Sequence, residues 1–237
     1  MNDDAREHRD MTRIFDCGLA SLGLLVFSPI FLLAALLVVL GDGRPILYRQ
    51  QRVGKNGEMF WMLKFRTMYQ CAGGPQFTVK GDPRVTRWGS WLRRLKIDEL
   101  PQLINVLRGD MSVIGPRPEV PQYVNLDDDL WKRVLEGKPG ITDLATLAFR
   151  HEEDLLGPEA DPETFYRTRV LPEKLRLNVQ YQQSRSFVRD VKLVLLTARY
   201  SFLPCGFKRH LILRSLGVPG ATENDPTLSL TAGRSTK

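Results

Sequence analysis

Residues 17–40, CGLASLGLLVFSPIFLLAALLVVL, carry no charge across twenty-four positions. No other stretch restricts the fold as much. At about 1.5 Å per residue it makes roughly 36 Å of helix, against a hydrocarbon core about 30 Å thick. It reads as a membrane segment. It is long for a cleaved signal peptide, and no small-x-small cleavage site follows before GDGRP. Two features argue against a simple span. Pro29, after Ser28, removes a backbone donor mid-segment and clashes with the preceding turn. Each arm is then roughly 18 Å long, too short to cross alone. Both flanks are also basic, with Arg6, Arg9 and Arg13 before and Arg44, Arg49, Arg52 and Lys55 after. The positive-inside rule puts both ends on the cytoplasmic side. A helix–break–helix hairpin entering one leaflet satisfies both features, and a spanning helix with a tolerated kink stays open beside it.

The chain holds 34 Lys+Arg against 27 Asp+Glu, a net charge of +7. That favours anionic partners: nucleic acid, phosphorylated molecules or an anionic membrane face. Cys17, Cys71 and Cys205 are far apart and odd in number, which suits reduced thiols and neither a disulfide framework nor a zinc site. No P-loop, dinucleotide fingerprint, zinc motif or internal repeat is present.

After the apolar segment, ILYRQQRV and MFWMLKFRTM flank GKNG, which predicts a β-hairpin. Lys64 and Arg66 alternate on one face of its second strand, as a phosphate site or as a solvated or lipid-headgroup face. Residues 69–83, with Gly73, Gly74, Pro75, Gly81 and Pro83, read as a loop. RVTRWGSWLRRLK (84–96) reads as an amphipathic helix with Trp88, Trp91, Leu92 and Leu95 on one side, suited to a membrane interface or to a core.

KIDELPQLINVLRGDMSVIGPRP (96–118) then sets two adjacent carboxylates, Asp98 and Glu99, between Arg93 and Arg94 upstream and Arg117 downstream. Pro101 discourages helix just before it and suits the first turn of a new one. Asp98 is then a natural N-cap and Glu99 a first-turn acid. That accounts for one carboxylate but not for the surplus of cations. The other reading is a phosphoryl-transfer site in which Asp98, kept charged by its arginines, attacks phosphorus. Glu99 holds Mg²⁺ against the phosphate, and Arg117, clamped in GPRP, binds it bidentately.

LYRQQRVGKNGEMFWMLKFRTM, KIDELPQLINVLRGDMSVIGPRP and KPGIT resemble the bacterial sugar transferase family, the monotopic phosphoglycosyl transferases, from about Thr12 to Ser201. The resemblance implies transfer of a sugar-1-phosphate from a nucleotide diphosphate sugar, usually a UDP-sugar, to a polyprenyl phosphate such as undecaprenyl phosphate. UMP is released, and exopolysaccharide, capsule, O-antigen or glycan assembly begins. It implies a ping-pong mechanism with Mg²⁺, Asp98 as nucleophile, Glu99 as its metal-holding partner, and Arg93 and Arg117 as phosphate or nucleotide contacts. Ser28-Pro29 matches the break of a re-entrant helix. That implies a monotopic protein of the inner membrane, in contact with its lipids, with the catalytic domain facing the cytoplasm.

The expected fold is α/β, mostly helical with a small antiparallel hairpin, fused to that re-entrant helix. The expected parts are a polar segment (1–13), the membrane helices (14–41), the catalytic domain (42–210) and a disordered tail (211–237). After KPGIT the family commonly continues GWAQ, but this chain reads DLATLAFRHEEDLL (143–156). Asp143, Arg150, His151, Glu152 and Glu153 are candidates there for sugar or nucleotide specificity, or belong to a solvated helix. Residues 165–183 read as a polar helix, and 187–203 as an amphipathic helix that packs on the domain or lies on the membrane. A homo-oligomer is left open. No nucleic-acid partner is expected, since no recognition motif appears. The competing class is a non-catalytic, membrane-anchored scaffold; a third reading is a transferase without a covalent step.

Overall fold

The computed structural model describes residues 3–69, 78, 81–150, 152–202, 207 and 209–218, with side chains from Thr12 onward except at 201 and 202. Cys71, Gly73, Gly74, Pro75, His151, Cys205 and residues 219–237 lie outside that set. The chain divides into two compact units. One comprises Met1–Ala72, Pro83–Val124 and Leu135–Ile141, and the other Gly73–Asp82, Asn125–Val134 and Thr142–Lys237.

The first unit opens with helices α1 (Asp3–Val26) and α2 (Ser28–Asp42), separated by Phe27. Thr12–Val26 and Ser28–Asp42 meet at a bend of 63°, and no single helix among the described residues is long and apolar enough to cross a membrane. The bend follows from Pro29, which has no N–H to offer the carbonyl of Leu25. The Ser28 hydroxyl donates to that carbonyl instead, at 2.8 Å. Leu22, Leu25, Val26, Leu32 and Leu40 stand more than half exposed along the pair.

The pair is nevertheless built into the unit. Arg13, expected only as a basic flank, donates to the carbonyls of Val106 and Leu107 at 2.5 and 2.6 Å. Asp16, one turn on and buried, accepts from Ser112 Oγ (3.0 Å) and from Val113 N–H (2.9 Å). On α2, Ala34 and Val38 form a core cluster with Phe65 and Leu92, flanked by Phe31, Ile46 and Ile97.

Strands β1 (Leu47–Val53) and β2 (Met59–Phe65) form the expected antiparallel hairpin, with Leu47 opposite Phe65 and Val53 opposite Met59. Asn56 (φ 55°) and Gly57 (φ 84°) supply the left-handed turn residues. Helix α3 (Arg87–Arg94) is shorter than expected because Thr86 caps it, its Oγ1 accepting from Gly89 N–H at 2.9 Å. The same hydroxyl donates to Asp42 Oδ2 at 2.8 Å, which ties the end of α2 to the start of α3. Leu92 is the buried residue of the predicted apolar side, while Trp88 and Trp91 are exposed. The Trp88 ring covers Gly41, where a Cβ would sit 2.2 Å from Cδ1.

Helix α4 (Gln102–Arg108) is held to the hairpin by Asn105, whose amide accepts from Leu63 N–H (2.9 Å) and donates to Trp61 O (2.8 Å). Strands β3 (Ser112–Ile114) and β4 (Gly140–Thr142) form a second small sheet. Gly115 and Gly140 cross there backbone to backbone, and a Cβ on Gly140 would lie 2.1 Å from Gly115 N. Neither side of that contact is a flexible side chain. Gly140→Ala therefore loses about 3 kcal/mol of stability. Chemical denaturation measures it, and an unchanged midpoint would refute the close approach.

The second unit is helical: α5 (Asp129–Leu135, its last residue excepted), α6 (Leu144–Ala148), α7 (Glu152–Leu156), α8 (Pro162–Phe165), α9 (Leu171–Gln183), α10 (Phe187–Phe202) and α11 (Arg209–Ser215). A π turn, Tyr166–Val170, joins α8 to α9. Along α10, Leu193 and Tyr200 are buried while Phe187, Val188 and Leu195 are exposed. The tail expected to be disordered from 211 onward begins too early, because Ile212, Leu213 and Leu216 are buried in and just after α11.

Candidate functional site

The site lies in the first unit, where the end of α3 turns into α4. Lys96 adopts the left-handed conformation (φ 57°), which few non-glycine residues hold without support. A 3-10 turn, Ile97–Glu99, follows. The N-cap of α4 is Pro101, and no side chain caps it. Asp98 is therefore not the N-cap that its position before Pro101 suggests. It sits three residues before that N-cap, inside the 3-10 turn, and is buried, 5% exposed, with Oδ1 unpartnered.

Glu99 faces a different environment. Arg117 grips it in a fork, Nη1 donating to Oε2 at 3.1 Å and Nη2 to Oε1. Lys64 Nζ stands 3.4 Å from Oε1. The neighbouring carboxyls thus diverge. Burial, then the Glu99 charge, pushes Asp98 upward against the opposing pull of Lys64, Lys96 and Arg93. Burial would also raise Glu99, but Arg117 and then Lys64 overcome it and hold that carboxyl well below the usual range. The nearby cations thus pull against the burial of Asp98 without cancelling it.

Arg117 is held by its neighbours in sequence. Gly140 N–H donates to Pro116 O at 3.0 Å, and Val53 N–H to Glu119 O at 3.0 Å. Arg52 Nη1 donates to Pro118 O at 3.0 Å and lies 3.6 Å from Glu119. GPRP is thus anchored by β4 on one side and β1 on the other.

Of the other expected residues, Arg93 lies in the last turn of α3, its Nη1 3.8 Å from Met68 Sδ, and its charge acts on Asp98. Arg66 does not join Lys64. It lies beyond the end of β2 and donates to the carbonyls of Asp42, Gly43 (2.7 Å) and Arg44 (2.9 Å), closing the C-terminal end of α2. In this structure its contacts are those of a helix cap, apart from the Lys64–Glu99 pair. Asp143, in the second unit, caps α6 through Thr146 N–H and accepts from Asn178 Nδ2 at 3.0 Å. At 2% exposure, with both oxygens engaged, it ties α6 to α9. Arg150 lies 5.9 Å from the centre of the Phe207 ring. Glu152, weighed as surface charge, instead pairs with buried Lys174 at 2.9 Å. Sequence reasoning missed Asn105, Gln102 and the anchoring role of Arg52. Polar residues at buried α4 positions were the available signal for the first two.

Lys64 carries a testable consequence. Burial, opposed by Glu99, lowers its pKa from 10.5 to about 8. The folded form sheds the proton first, so this group's contribution to stability rises between about pH 8 and 10.5. Through the same onset Glu99 loses one of its two cations. Turnover should fall on an alkaline limb near pH 8, and Lys64→Arg should move that limb upward; an unmoved limb removes Lys64 from the site.

An ionised or ionisable carboxyl with a free oxygen, beside a second carboxylate fixed by two cations, suits attack on phosphorus in an anionic substrate. The family model described as bacterial sugar transferase matches residues 7–203. The chain belongs to the bacterial sugar transferase family. It is therefore an enzyme of the phosphoglycosyl transferase type. It is 37% identical over 202 residues to the exopolysaccharide production protein ExoY of Rhizobium meliloti, covering 78% of this chain and 82% of that one. It is 39% identical over 193 residues to the UDP-glucose:undecaprenyl-phosphate glucose-1-phosphate transferase of Caulobacter vibrioides, covering 78% and 67%. An Escherichia coli protein of the same description is 34% identical over 206 residues, covering 83% of this sugar transferase but only 41% of that longer chain.

Proposed function

We propose that this sugar transferase moves a sugar-1-phosphate from a nucleotide diphosphate sugar, a UDP-sugar by preference, to undecaprenyl phosphate or a similar polyprenyl phosphate. The product starts an exopolysaccharide or capsule repeat. The observation that carries this reading is Asp98: a buried carboxyl with a free oxygen, next to a glutamate held by Arg117 and Lys64.

The exchange proceeds in two displacements. The Asp98 carboxylate attacks the phosphorus that bears the sugar. The bond from that phosphorus to the bridging oxygen breaks, and UMP leaves with the electron pair. A phosphate oxygen of the polyprenyl phosphate then attacks the same phosphorus. The Asp98 oxygen–phosphorus bond breaks, and the carboxylate returns. Arg93 and Lys96 offset the negative charge that gathers around Asp98. Arg117 and Lys64 keep the Glu99 carboxylate ionised and fixed in position.

The donor set fits Mg²⁺ held largely by substrate. Mg²⁺ commonly binds one or two carboxylates together with phosphates, and Glu99, held ionised beside the nucleophile, is the acid at hand. Among the described residues no cluster of three or more His, Cys, Asp or Glu is placed to cage a metal by itself. When bound, Mg²⁺ supplies charge neutralisation on the phosphate oxygens. The bent helix pair supports a monotopic, re-entrant placement with the site on the cytoplasmic face. It exposes apolar side chains along both arms, and each arm is short of a full crossing. There the headgroup of the lipid acceptor and a soluble donor reach one carboxylate in turn.

UMP release by the protein in lipid nanodiscs tests this reading. A panel of UDP-sugars is supplied with and without undecaprenyl phosphate, and with Mg²⁺ or EDTA. Release that needs one sugar, the lipid phosphate and Mg²⁺ is expected. Silence from folded protein across UDP-sugars and other nucleotide sugars would move a scaffold role to the front. Turnover unchanged by EDTA would remove Glu99 as a metal residue.

A further inference from the structure

Asp98 Oδ1 is not alone. Gln102 is 1% exposed, and its Nε2 also has no hydrogen-bond partner. A buried N–H donor without an acceptor costs free energy that a leucine or methionine at the same position would not. The core packs Leu92, Val106 and Met111 nearby in the chain without difficulty, so an apolar residue at 102 would suit the fold.

The two orphan atoms are neighbours along the chain path. The 3-10 turn at 97–99 runs through Leu100 (φ −52°, ψ −35°) and Pro101 (φ −60°, ψ −17°), both helical, into α4 at Gln102. Backbone bonds from Leu100 N–H to Ile97 O (3.1 Å) and from Leu103 N–H to Leu100 O (3.1 Å) hold this short path together, with Gln102 four residues after Asp98. Yet they do not satisfy each other: the acceptor and the donor each remain unpaired. A third group that answers both must offer an electrophilic centre to the carboxylate oxygen and an acceptor oxygen to the amide. A phosphoryl group offers both.

We propose that Gln102 Nε2 donates a hydrogen bond to a non-bridging oxygen of the phosphoryl group while that group is bonded to Asp98. This inference rests on Asp98 as nucleophile. Gln102 is then a catalytic residue whose unpaired donor in the free protein is preorganisation for the negative charge that develops on the phosphoryl group. The choice of a neutral amide has a reason. A lysine or arginine at 102 would pair with Asp98 and quench the nucleophile, whereas an amide stabilises the phosphoryl oxygens and leaves the carboxylate free.

The test compares wild type, Gln102→Met and Gln102→Leu as full chains in nanodiscs. The donors are UDP-glucose, UDP-galactose, UDP-N-acetylglucosamine and UDP-N-acetylgalactosamine, each labelled with ³²P in the sugar-bearing phosphate. Protein-bound label and the thermal midpoint of the donor-free protein are both read. The expected result is a labelling rate lower by about 10²–10³-fold, with a midpoint equal to or above wild type. A packing residue would behave the opposite way. If either variant melts lower, the amide has a structural partner and the inference falls. If wild type and variants label equally fast, Gln102 is overturned while Asp98 stands. If wild type takes no label from any donor, the Asp98 reading falls and takes this one with it.

Discussion

The Asp98→Asn protein folds, melts no lower than wild type, and turns over about 10⁴-fold more slowly or not at all. An amide keeps the shape of the side chain but is a poor nucleophile, so the loss appears in turnover rather than in folding. The stability half follows from the environment of the carboxyl. Burial and the Glu99 charge raise Asp98 above 3.8, its ordinary value. The folded state therefore binds that proton more tightly than the unfolded one. Its contribution to stability falls as pH rises from 3.8 toward the raised folded value, and the penalty is constant above that. Asparagine carries no such penalty. The midpoint gap between variant and wild type should be widest above the raised folded value and close as the pH approaches 3.8. Thermal melts across that range, run beside UMP release, check both halves. A variant with normal turnover ends the covalent reading.

Arg117→Ala loses both activity and stability. Turnover drops by about 10²–10³-fold, as for removal of one preorganised donor. Glu99 is then left with Lys64 as its ion-pair partner, 3.4 Å away. Breaking a fully buried pair costs about 3–5 kcal/mol. Here the Arg117 side chain is 23% and Glu99 14% exposed, which reduces the expected loss to about 2 kcal/mol. A depressed carboxyl stabilises the fold above its unfolded value of 4.5, and that contribution fades as pH falls through the folded value. The variant should therefore be weakest relative to wild type at neutral pH and converge with it in acid. Arg117→Lys retains charge without the fork and should recover part of the stability but little of the rate. Urea denaturation followed from pH 7 down through pH 4.5 to about pH 2 separates these outcomes, and a gap unchanged over the whole range would mean Arg117 acts through packing alone.

Local elements were the legible part of the fold. Apolar length, Pro29 and GKNG carry their structural meaning in a few adjacent residues, and the helix bend and hairpin appear where they indicate. Asp98, Glu99, Lys64 and Arg117 also come together, because DELPQLINVLRGDMSVIGPRP holds three of them on one short path. The errors share a cause: they concern which partner, distant in sequence, a polar side chain meets. Arg66 and Lys64 have the same strand parity, yet one closes a helix end and the other joins an acid. Arg13 looked like a topogenic charge and is a hydrogen-bond donor to residues more than ninety positions away. Asp98 looked like a cap because capping follows from local spacing, whereas its burial follows from how α2, α3 and β2 close around the turn.

Removing the apolar N-terminal hairpin to obtain a soluble catalytic fragment should fail. A fragment beginning after residue 42 would release the carbonyls of Val106 and Leu107, strip Ser112 and Val113 of the Asp16 carboxylate, and open the Phe65–Leu92 cluster where Ala34 and Val38 stood. The arms that expose apolar side chains are also interior walls. Detergent or nanodisc handling of the intact chain, with surface leucines exchanged for polar residues, is the route to solubility that leaves those walls in place.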